Sequence, residues 1–308
     1  AQNFYDLFRI DHVVGMFRVW TITLFEPLEN AGLNGSFVPK DEDSWEGHGR
    51  NLLSIIVTNT DMLPCAEDLG TVPACSNKVL EEFGIPGIDV QRWTRDWGKT
   101  YDFKAPKDYR KCSVATVSTH DSSTLCAWWE HEAGTVDEQL FKRKCKEAGI
   151  NFDLLRRKLF NSEKSSRGRL RWDEQITSAE ILLKVIERKE NQACSLLSLY
   201  RESYGEKEKF WRYLGMPGKL EESYSQELVR KILEKINSSA SIFSIQLLQD
   251  WLSIDSLFEH DCWEWRINFP GTVSDKNWSL AMDLSLEDML SMPINSVIRN
   301  INSSAGRS

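Results

Sequence analysis

Several features that mark other protein classes are scarce or missing in this chain of 308 residues. No two of its seven cysteines have CxxC spacing, and their number is odd, which argues against a zinc site and favours a reduced, cytoplasmic setting over a disulfide framework. No apolar run approaches the roughly 18 residues of a membrane helix, and the first residues show no signal-peptide pattern. We therefore expect a cytoplasmic protein without a metal ion and without a membrane partner.

Positive charge is also in short supply. The chain has 38 Lys and Arg against 46 Asp and Glu, for a net charge of −8. Its basic runs at 142–144 and 156–158 lie in helical patterns and are typical of solvated helix faces. This balance argues against nucleic acid as the main partner and is compatible with a neutral glycan. Most of the 12 Trp residues are expected in the core, and a few could stack on sugars.

Three acidic residues, Asp11, Glu67 and Asp121, stand at nearly equal intervals, and each follows a short apolar run. Such runs are typical of strands that bring a carboxylate to one rim of a sheet or barrel. Three carboxylates on one rim suit sugar chemistry. One can attack the anomeric carbon, one can protonate the leaving oxygen, and one can hold the sugar.

Each of these acidic residues also has a simpler explanation. Arg9 and Asp11 share a strand face, so they could form an ordinary ion pair or keep a nucleophile ionised. Glu67 follows apolar residues that would suit a general acid, but Glu67 and Asp68 could instead favour a helix N-terminus, with Asp68 as its cap. Asp121 could cap the helix that follows it.

The first part of the chain has the pattern of alternating strands and helices. Residues 26–49 are rich in Gly, Asn and acidic residues, which predicts a long loop at the rim, and 51–60 predicts a short helix or strand. We expect strands at 4–11, 62–66, 87–93 and 112–119 and helices at 74–83 and 122–132.

Charged helical patterns dominate the next part of the chain. They predict helices at 138–148, 153–160, 178–201 and 226–235, with a flexible loop at 161–169. The last part predicts a strand at 243–252, a loop at 268–278, and a terminal helix capped by Ser285 and broken near Pro293. We therefore divide the chain into a barrel segment at 1–134 with the three carboxylates, a helical insertion at 135–226, and a last strand with a C-terminal helix at 227–308.

The ordered set of motifs closely resembles the later part of the catalytic domain of the 4-alpha-glucanotransferases, the amylomaltase or disproportionating-enzyme family. The resemblance covers about 1–135 and 225–300, in the family's order. The sequence of Phe17–Trp20 and the long loop that follows it are most similar to the cytosolic disproportionating enzymes of plants and some protists, which act on maltose. The matching stretches are Phe8–Trp20, Pro64–Pro73, Ser118–Thr124, Trp128–Trp129, Leu248–Trp251, Arg266–Thr272 and Asn277–Trp278.

The resemblance implies an α/β fold, a (β/α)8 TIM barrel present from about its fourth strand onward, with a helical insertion. It implies a retaining double displacement with Asp11 as nucleophile, Glu67 as acid/base and Asp121 as transition-state stabiliser. Retention predicts carboxyl groups of Asp11 and Glu67 about 5–5.5 Å apart. The resemblance also implies sugar contacts from Arg9, His120 and Asn268.

The implied substrates are α-1,4-glucans: maltose and maltodextrins, with glycogen and soluble heteroglycan as further candidates. No cofactor is implied, and the oligomeric state stays open. Because the family's first three strands would precede Ala1, we expect the chain alone to be poorly active or inactive. The alternatives are an α-glucan hydrolase of the same mechanism and an inactive glycan-binding fragment.

Overall fold

The computed structural model describes residues 2–27, 32–255 and 261–307. It divides into two compact units that interleave along the chain. None of the helices in these ranges is long and apolar enough to cross a membrane. The first unit comprises Ala1–Val90, Lys107–Thr116 and Ser239–Ile245, and the second comprises Gln91–Pro106, Val117–Ser238 and Gln246–Ser308.

The regular elements are numbered in chain order. The strands are β1 (Leu7–Ile10), β2 (Val19–Thr21), β3 (Ser36–Val38), β4 (Leu63–Ala66), β5 (Gly87–Val90), β6 (Ser113–Thr116), β7 (Thr135–Asp137), β8 (Phe160–Ser166), β9 (Arg169–Trp172) and β10 (Phe243–Ser244). The helices are α1 (Trp45–Thr58), α2 (Ala74–Glu82), α3 (Leu125–Ala127), α4 (Glu138–Glu147), α5 (Phe152–Leu159), α6 (Ala179–Ile186), α7 (Cys194–Ser203), α8 (Glu206–Leu214), α9 (Gln226–Asn237), α10 (Leu248–Leu252), α11 (Leu286–Ser291) and α12 (Ile294–Ser304).

Most strands of the first unit run parallel, and β2 pairs with β3 in an antiparallel hairpin. β1 pairs with β4, and β6 pairs with both β5 and β10, all in parallel. The amide of Ala66 in β4 donates to the carbonyl of Pro86, directly before β5, over 2.8 Å. Helices α1 and α2 connect successive strands, which is the alternation of a (β/α) barrel. The strands predicted at 4–11, 62–66, 87–93 and 112–119 are therefore confirmed, each shorter than predicted.

Helix α1 begins inside the stretch that the sequence predicts as a loop at 26–49. Trp45, Gly49 and Leu53 recur every four residues and form its buried face. A side chain at Gly49 would lie 2.3 Å from the ring of Phe17, so glycine permits this close packing. Residues 28–31 of this predicted loop lie outside the described residues. Elsewhere the loop prediction was wrong at β3 and at the start of α1, which both fall within 26–49.

The second unit packs helices against an antiparallel sheet in the order β7-β9-β8. The flexible loop predicted at 161–169 was wrong, because these residues form most of the β8–β9 hairpin. Arg167 and Gly168 supply its turn with φ of 55° and 73°. After the buried Phe160, β8 consists of polar and largely exposed residues, so the sequence lacks the apolar alternation that would have indicated a strand.

Three other predictions for helices and strands have mixed outcomes. The single helix predicted at 178–201 is two helices, because Glu187 adopts a left-handed conformation with φ of 54° and ends α6. The strand predicted at 243–252 is confirmed only at β10, and its second half is the helix α10. The terminal helix is confirmed as α11 and α12, with Ser285 as N-cap and Pro293 at the break.

Candidate active site

Asp11 directly follows β1 and has a highly exposed carboxylate. The guanidinium of Arg9 donates to its Oδ1 over 2.7 Å, and 73% of the Asp11 side chain is open to solvent. An exposed ion pair contributes little to folding stability. Its consequence is local, because Arg9 orients one oxygen of Asp11 and leaves the carboxylate accessible to a ligand.

Glu67 directly follows β4 and is held by backbone amides. The amide of His12 donates to its Oε2 over 2.9 Å, and the amide of Leu69 donates to its Oε1 over 3.0 Å. His12 has a left-handed backbone with φ of 45°, an uncommon conformation for a residue other than glycine. This turn after β1 presents the amide that binds Glu67.

Strand register places Asp11 and Glu67 side by side. Arg9 pairs with Cys65 and Ile10 with Ala66, so Asp11 and Glu67 are the next positions along both strands. The amide of Glu67 donates to the carbonyl of Ile10 over 2.9 Å, which continues the pairing. Neighbouring strands lie about 4.8 Å apart, so the two residues emerge next to each other at one rim. The carboxyl separation of about 5–5.5 Å stays a prediction.

Asp68 has a different role from the helix cap that the sequence suggests. Helix α2 begins at Ala74, too far away for Asp68 to cap it. The side chain of Asp68 is buried, and it accepts hydrogen bonds from the amide of Ile88 over 2.9 Å and from the guanidinium of Arg110. Gly87 leaves the necessary space, since a Cβ there would lie 2.4 Å from Asp68 Oδ2. Asp68 therefore ties the end of β4 to β5 beside Glu67.

In the second unit, Asp121, His120 and Asn268 lie together. The side-chain amide of Asn268 donates to Asp121 Oδ1 over 2.7 Å, and His120 Nε2 lies 3.5 Å from Asp121 Oδ2. The backbone amide of Asn268 also donates to the carbonyl of His120 over 3.1 Å. The cap of the following helix is Thr124 and not Asp121, which removes the simpler explanation for this carboxylate.

An exposed tryptophan adjoins this group. The ring centroid of Trp278 lies 5.1 Å from that of His120, and 65% of Trp278 is exposed. Its φ of 62° and the hydrogen bond from its amide to the carbonyl of Ile267 fix the loop that presents it. An exposed aromatic face of this kind suits the apolar face of a sugar.

Behind Asp121 lies a set of buried and partly buried charges that sequence reasoning missed. Arg266 donates to the carbonyls of Asp121 and Asn268 over 3.2 Å and 3.0 Å. Its guanidinium lies 3.3 Å from one carboxylate oxygen of Glu132, and Arg92 lies 3.9 Å from the other. Arg92 also donates to the hydroxyls of Ser118 and Ser123. Arg92, Glu132 and Arg266 line a cleft of about 370 Å³ beside Asp121. The sequence offered one signal for this set, because Glu132 is a charged residue in the aromatic stretch that begins at Trp128.

Asp250 fixes the start of the helix after Asp121. Its Oδ1 accepts the amide of Leu125 over 2.7 Å, and its side chain is fully buried. Burial raises the pKa of Asp250 to about 6, although Arg92 favours the charged form. Burial also lowers the pKa of Arg92 to about 10. The stretch Leu248–Trp251 therefore holds, through Asp250, the start of the helix that follows Asp121.

Among the residues that the structure describes, one cluster offers ligands that could hold a metal ion: His131, Asp261 and Cys262, whose ligand atoms lie within 4.8 Å of one another. Burial lowers the pKa of His131, and a neutral imidazole can bind metals. However, Arg167 donates to Asp261 over 2.5 Å, and the amide of Trp263 binds the other carboxylate oxygen over 3.0 Å. A metal ion would have to compete with both contacts, so the cluster is a poor match for a dedicated site.

The sequence-predicted residues thus fall into two groups. Arg9, Asp11 and Glu67 come together in the first unit, and His120, Asp121 and Asn268 come together in the second. Convergence of all three carboxylates on one substrate stays a prediction.

Parallel strands that present neighbouring carboxylates at their carboxyl ends define a class, the (β/α)-barrel proteins suited to glycosidic-bond chemistry. Within that class, the chain belongs to the 4-alpha-glucanotransferase family. The model of glycoside hydrolase family 77, described as 4-alpha-glucanotransferase, matches residues 1–285. The family membership predicted from the sequence motifs is therefore confirmed.

Individual proteins with similar sequences carry the name of the same family. A 4-alpha-glucanotransferase of Chlamydia trachomatis serovar D is 29% identical over 297 residues, which are 94% of this chain and 40% of that protein. The 4-alpha-glucanotransferase DPE2 of Oryza sativa subsp. japonica is 36% identical over 98 residues, 32% of this chain and 10% of that protein. The chain spans about 40% of the length of this Chlamydia trachomatis relative and of the Chlamydia pneumoniae relative, each matched over 94% of the chain.

A solved structure supports the fold. The amylomaltase from Streptococcus agalactiae in complex with acarbose superposes with a TM-score of 0.55 at 18% identity, covering 99% of this chain and 42% of that one. At this identity the likeness shows the fold alone. The predicted α/β class and TIM-barrel type, present as part of the barrel, are confirmed.

Proposed function

We propose that this chain supplies the catalytic carboxylates of a 4-alpha-glucanotransferase that moves α-1,4-glucosyl or glucan units from maltose or maltodextrin donors to glucan acceptors. The observation that carries the proposal is the register that sets Asp11 beside Glu67 on adjacent parallel strands, with the amide of His12 bound to Glu67. Family membership supports the same assignment.

The proposed reaction has two displacements. A carboxylate oxygen of Asp11 attacks the anomeric carbon, the bond from that carbon to the glycosidic oxygen breaks, and Glu67 gives its proton to the departing oxygen. A hydroxyl of a second glucan then attacks the same carbon. Its proton passes to Glu67, and the carboxylate of Asp11 is released. Two inversions restore the original configuration.

The remaining residues would bind and stabilise. Asp121, oriented by Asn268, would balance the positive charge that develops on the sugar ring, and His120 would contact its hydroxyls. Arg9 would orient Asp11 until the sugar arrives. No step in this scheme uses a metal ion or an organic cofactor. A reducing, cytoplasmic location is part of the proposal and is supported by seven free cysteines.

Incubation with maltose or maltotriose, with products resolved by chain length, tests the proposal. Both this chain alone and a longer protein that contains it are assayed. Transfer yields glucose and a ladder of longer maltodextrins, and Asp11→Asn abolishes the ladder. Shortening without longer products would point to an α-glucan hydrolase. Glucan binding without turnover in either form would point to a glycan-binding fragment and would refute the transferase.

A further inference from the structure

Glu132 lies in a position that the proposed reaction does not explain. Its carboxylate sits between two arginines, 3.3 Å from Arg266 and 3.9 Å from Arg92. The exposed fractions of the three side chains are 18% for Glu132, 14% for Arg266 and 5% for Arg92. Buried charges are costly unless they are paired, and Glu132 compensates the charge of both arginines.

The backbone at Glu132 is specialised for this placement. Residues Trp128–Glu132 form a single π-helical turn, closed by a hydrogen bond of 2.7 Å from the amide of Ala133 to the carbonyl of Trp128. Such turns are rare and often occur at functional sites. The hydroxyl of Thr135 donates to the carbonyl of Glu132 over 2.5 Å, which fixes the last residue of the turn.

A continuous set of contacts joins Glu132 to the sugar-binding group. Glu132 orients Arg266, whose guanidinium donates to the carbonyls of both Asp121 and Asn268. Those two residues are in turn bonded to each other through Asn268 Nδ2 and Asp121 Oδ1. On its other side, Arg92 holds the hydroxyls of Ser118 and Ser123, which flank His120 and Asp121 in the chain.

Charge makes the arrangement selective for a carboxylate at Glu132. Burial lowers the pKa of Arg266 and of Arg92, and in both cases Glu132 is the strongest charge that opposes this effect. Without that negative charge, Arg266 would have the carboxylate of Asp121 as a nearby alternative partner. Asp121 would then be drawn from Asn268 and from a sugar.

We propose that Glu132 is a positioning residue, which acts through Arg266 to hold Asp121 and Asn268 in the geometry for stabilising the transition state. This inference rests on the proposed function. It adds Glu132, which the sequence motifs do not contain, and it states that Glu132 acts on Asp121 through Arg266. Glu132 itself transfers no proton and forms no bond with the sugar.

The test compares Glu132→Gln with Glu130→Gln in whichever form of the protein transfers glucan. Both glutamates belong to the same turn, but Glu130 accepts the amide of Tyr224 and has no part in the contacts to Asp121. We expect Glu132→Gln to lower kcat by about 10- to 100-fold with little change in KM, because small displacements of catalytic groups are costly. Glu130→Gln should leave kcat unchanged even if its Tm falls.

A double variant separates positioning from independent action. If Glu132 acts through Arg266, Glu132→Gln combined with Arg266→Ala should be no slower than Arg266→Ala alone. Multiplied losses would overturn the inference, as would an unchanged kcat for Glu132→Gln.

A crystal structure of Glu132→Gln gives an answer even when the wild-type protein shows no transfer, an outcome that counts against the proposed function alone. Loss of the bond between Asn268 and Asp121 would support the inference, and its retention would refute it.

Discussion

The pair formed by Asp11 and Glu67 and the pair formed by Asp121 and Asn268 are held in different ways. Strand register and backbone amides place Asp11 and Glu67, so few side chains are needed to position them. Asp121 follows β6 by five residues and depends on the side chains of Asn268 and Arg266. A backbone-held group tolerates substitutions around it, whereas a group held by side chains can be displaced by a single distant change.

The largest effect should come from the backbone-held pair. Asp11→Asn removes the proposed nucleophile and should lower the transfer rate by about 10⁴-fold or more, as loss of a nucleophile does in other enzymes. Chain-length analysis of maltotriose products measures the rate. Asp6→Asn, an exposed carboxylate just before β1, is the matched control and should be near wild type. Normal transfer by Asp11→Asn would rule out the assigned nucleophile.

The side-chain-held region should show a pH dependence of stability through Asp250. Its pKa is raised by burial from 3.8 to about 6, so the folded state prefers the protonated form. Protonated Asp250 therefore contributes to the stability of the folded state. This contribution is full below pH of about 4 and is lost as the pH rises through about 6.

Asp250→Asn lacks this titration and keeps an acceptor for the amide of Leu125. Its free energy of unfolding relative to wild type should therefore rise by about 3 kcal/mol between pH 3 and pH 8. Urea unfolding at several pH values measures the difference. A constant difference over that range would contradict the raised pKa, and Asp275→Asn, at an exposed loop position, provides the baseline.

Removal of the partner of Asp121 should reduce catalysis by less than loss of the nucleophile. Asn268→Ala deletes the donor to Asp121 Oδ1 and should lower kcat by about 10²-fold, comparable with loss of one donor to a transition state. Steady-state kinetics with maltotriose give kcat and KM separately. Lys276→Ala in the same loop should leave both constants unchanged. Equal kinetics for the two variants would mean that Asn268 does not support Asp121.

The smallest effect should be on stability in the first unit. Asp68→Ala breaks hydrogen bonds from Arg110 and the amide of Ile88, and should cost about 2 kcal/mol because Asp68 is buried while Arg110 retains access to water. Chemical unfolding measures this cost. The exposed pair Lys164–Glu174 supplies the contrast, and Glu174→Gln should change little. A negligible cost at Asp68 would show that β4 and β5 do not need this tie.

Prediction from the sequence worked best where local pattern and tertiary role coincide. The strands that end before Asp11 and Glu67 are short apolar runs, and Ser285 and Pro293 signal their helix boundaries directly. It failed at the hairpin of β8 and β9, where exposed polar residues form a strand because the turn at Gly168 and a few buried neighbours favour it. β propensity depends strongly on such context.

The sequence by itself determined the family, the barrel class and the identity of the paired carboxylates, because strand ends and motif order are local properties of the chain. Only the tertiary structure decided that Asp68 is tied to Arg110, that Asp250 is buried, and that Glu132 lies between two arginines. These partners are 42 residues apart for Asp68 and Arg110 and 134 for Glu132 and Arg266. Burial and charge pairing across such separations arise from packing, which no local pattern encodes.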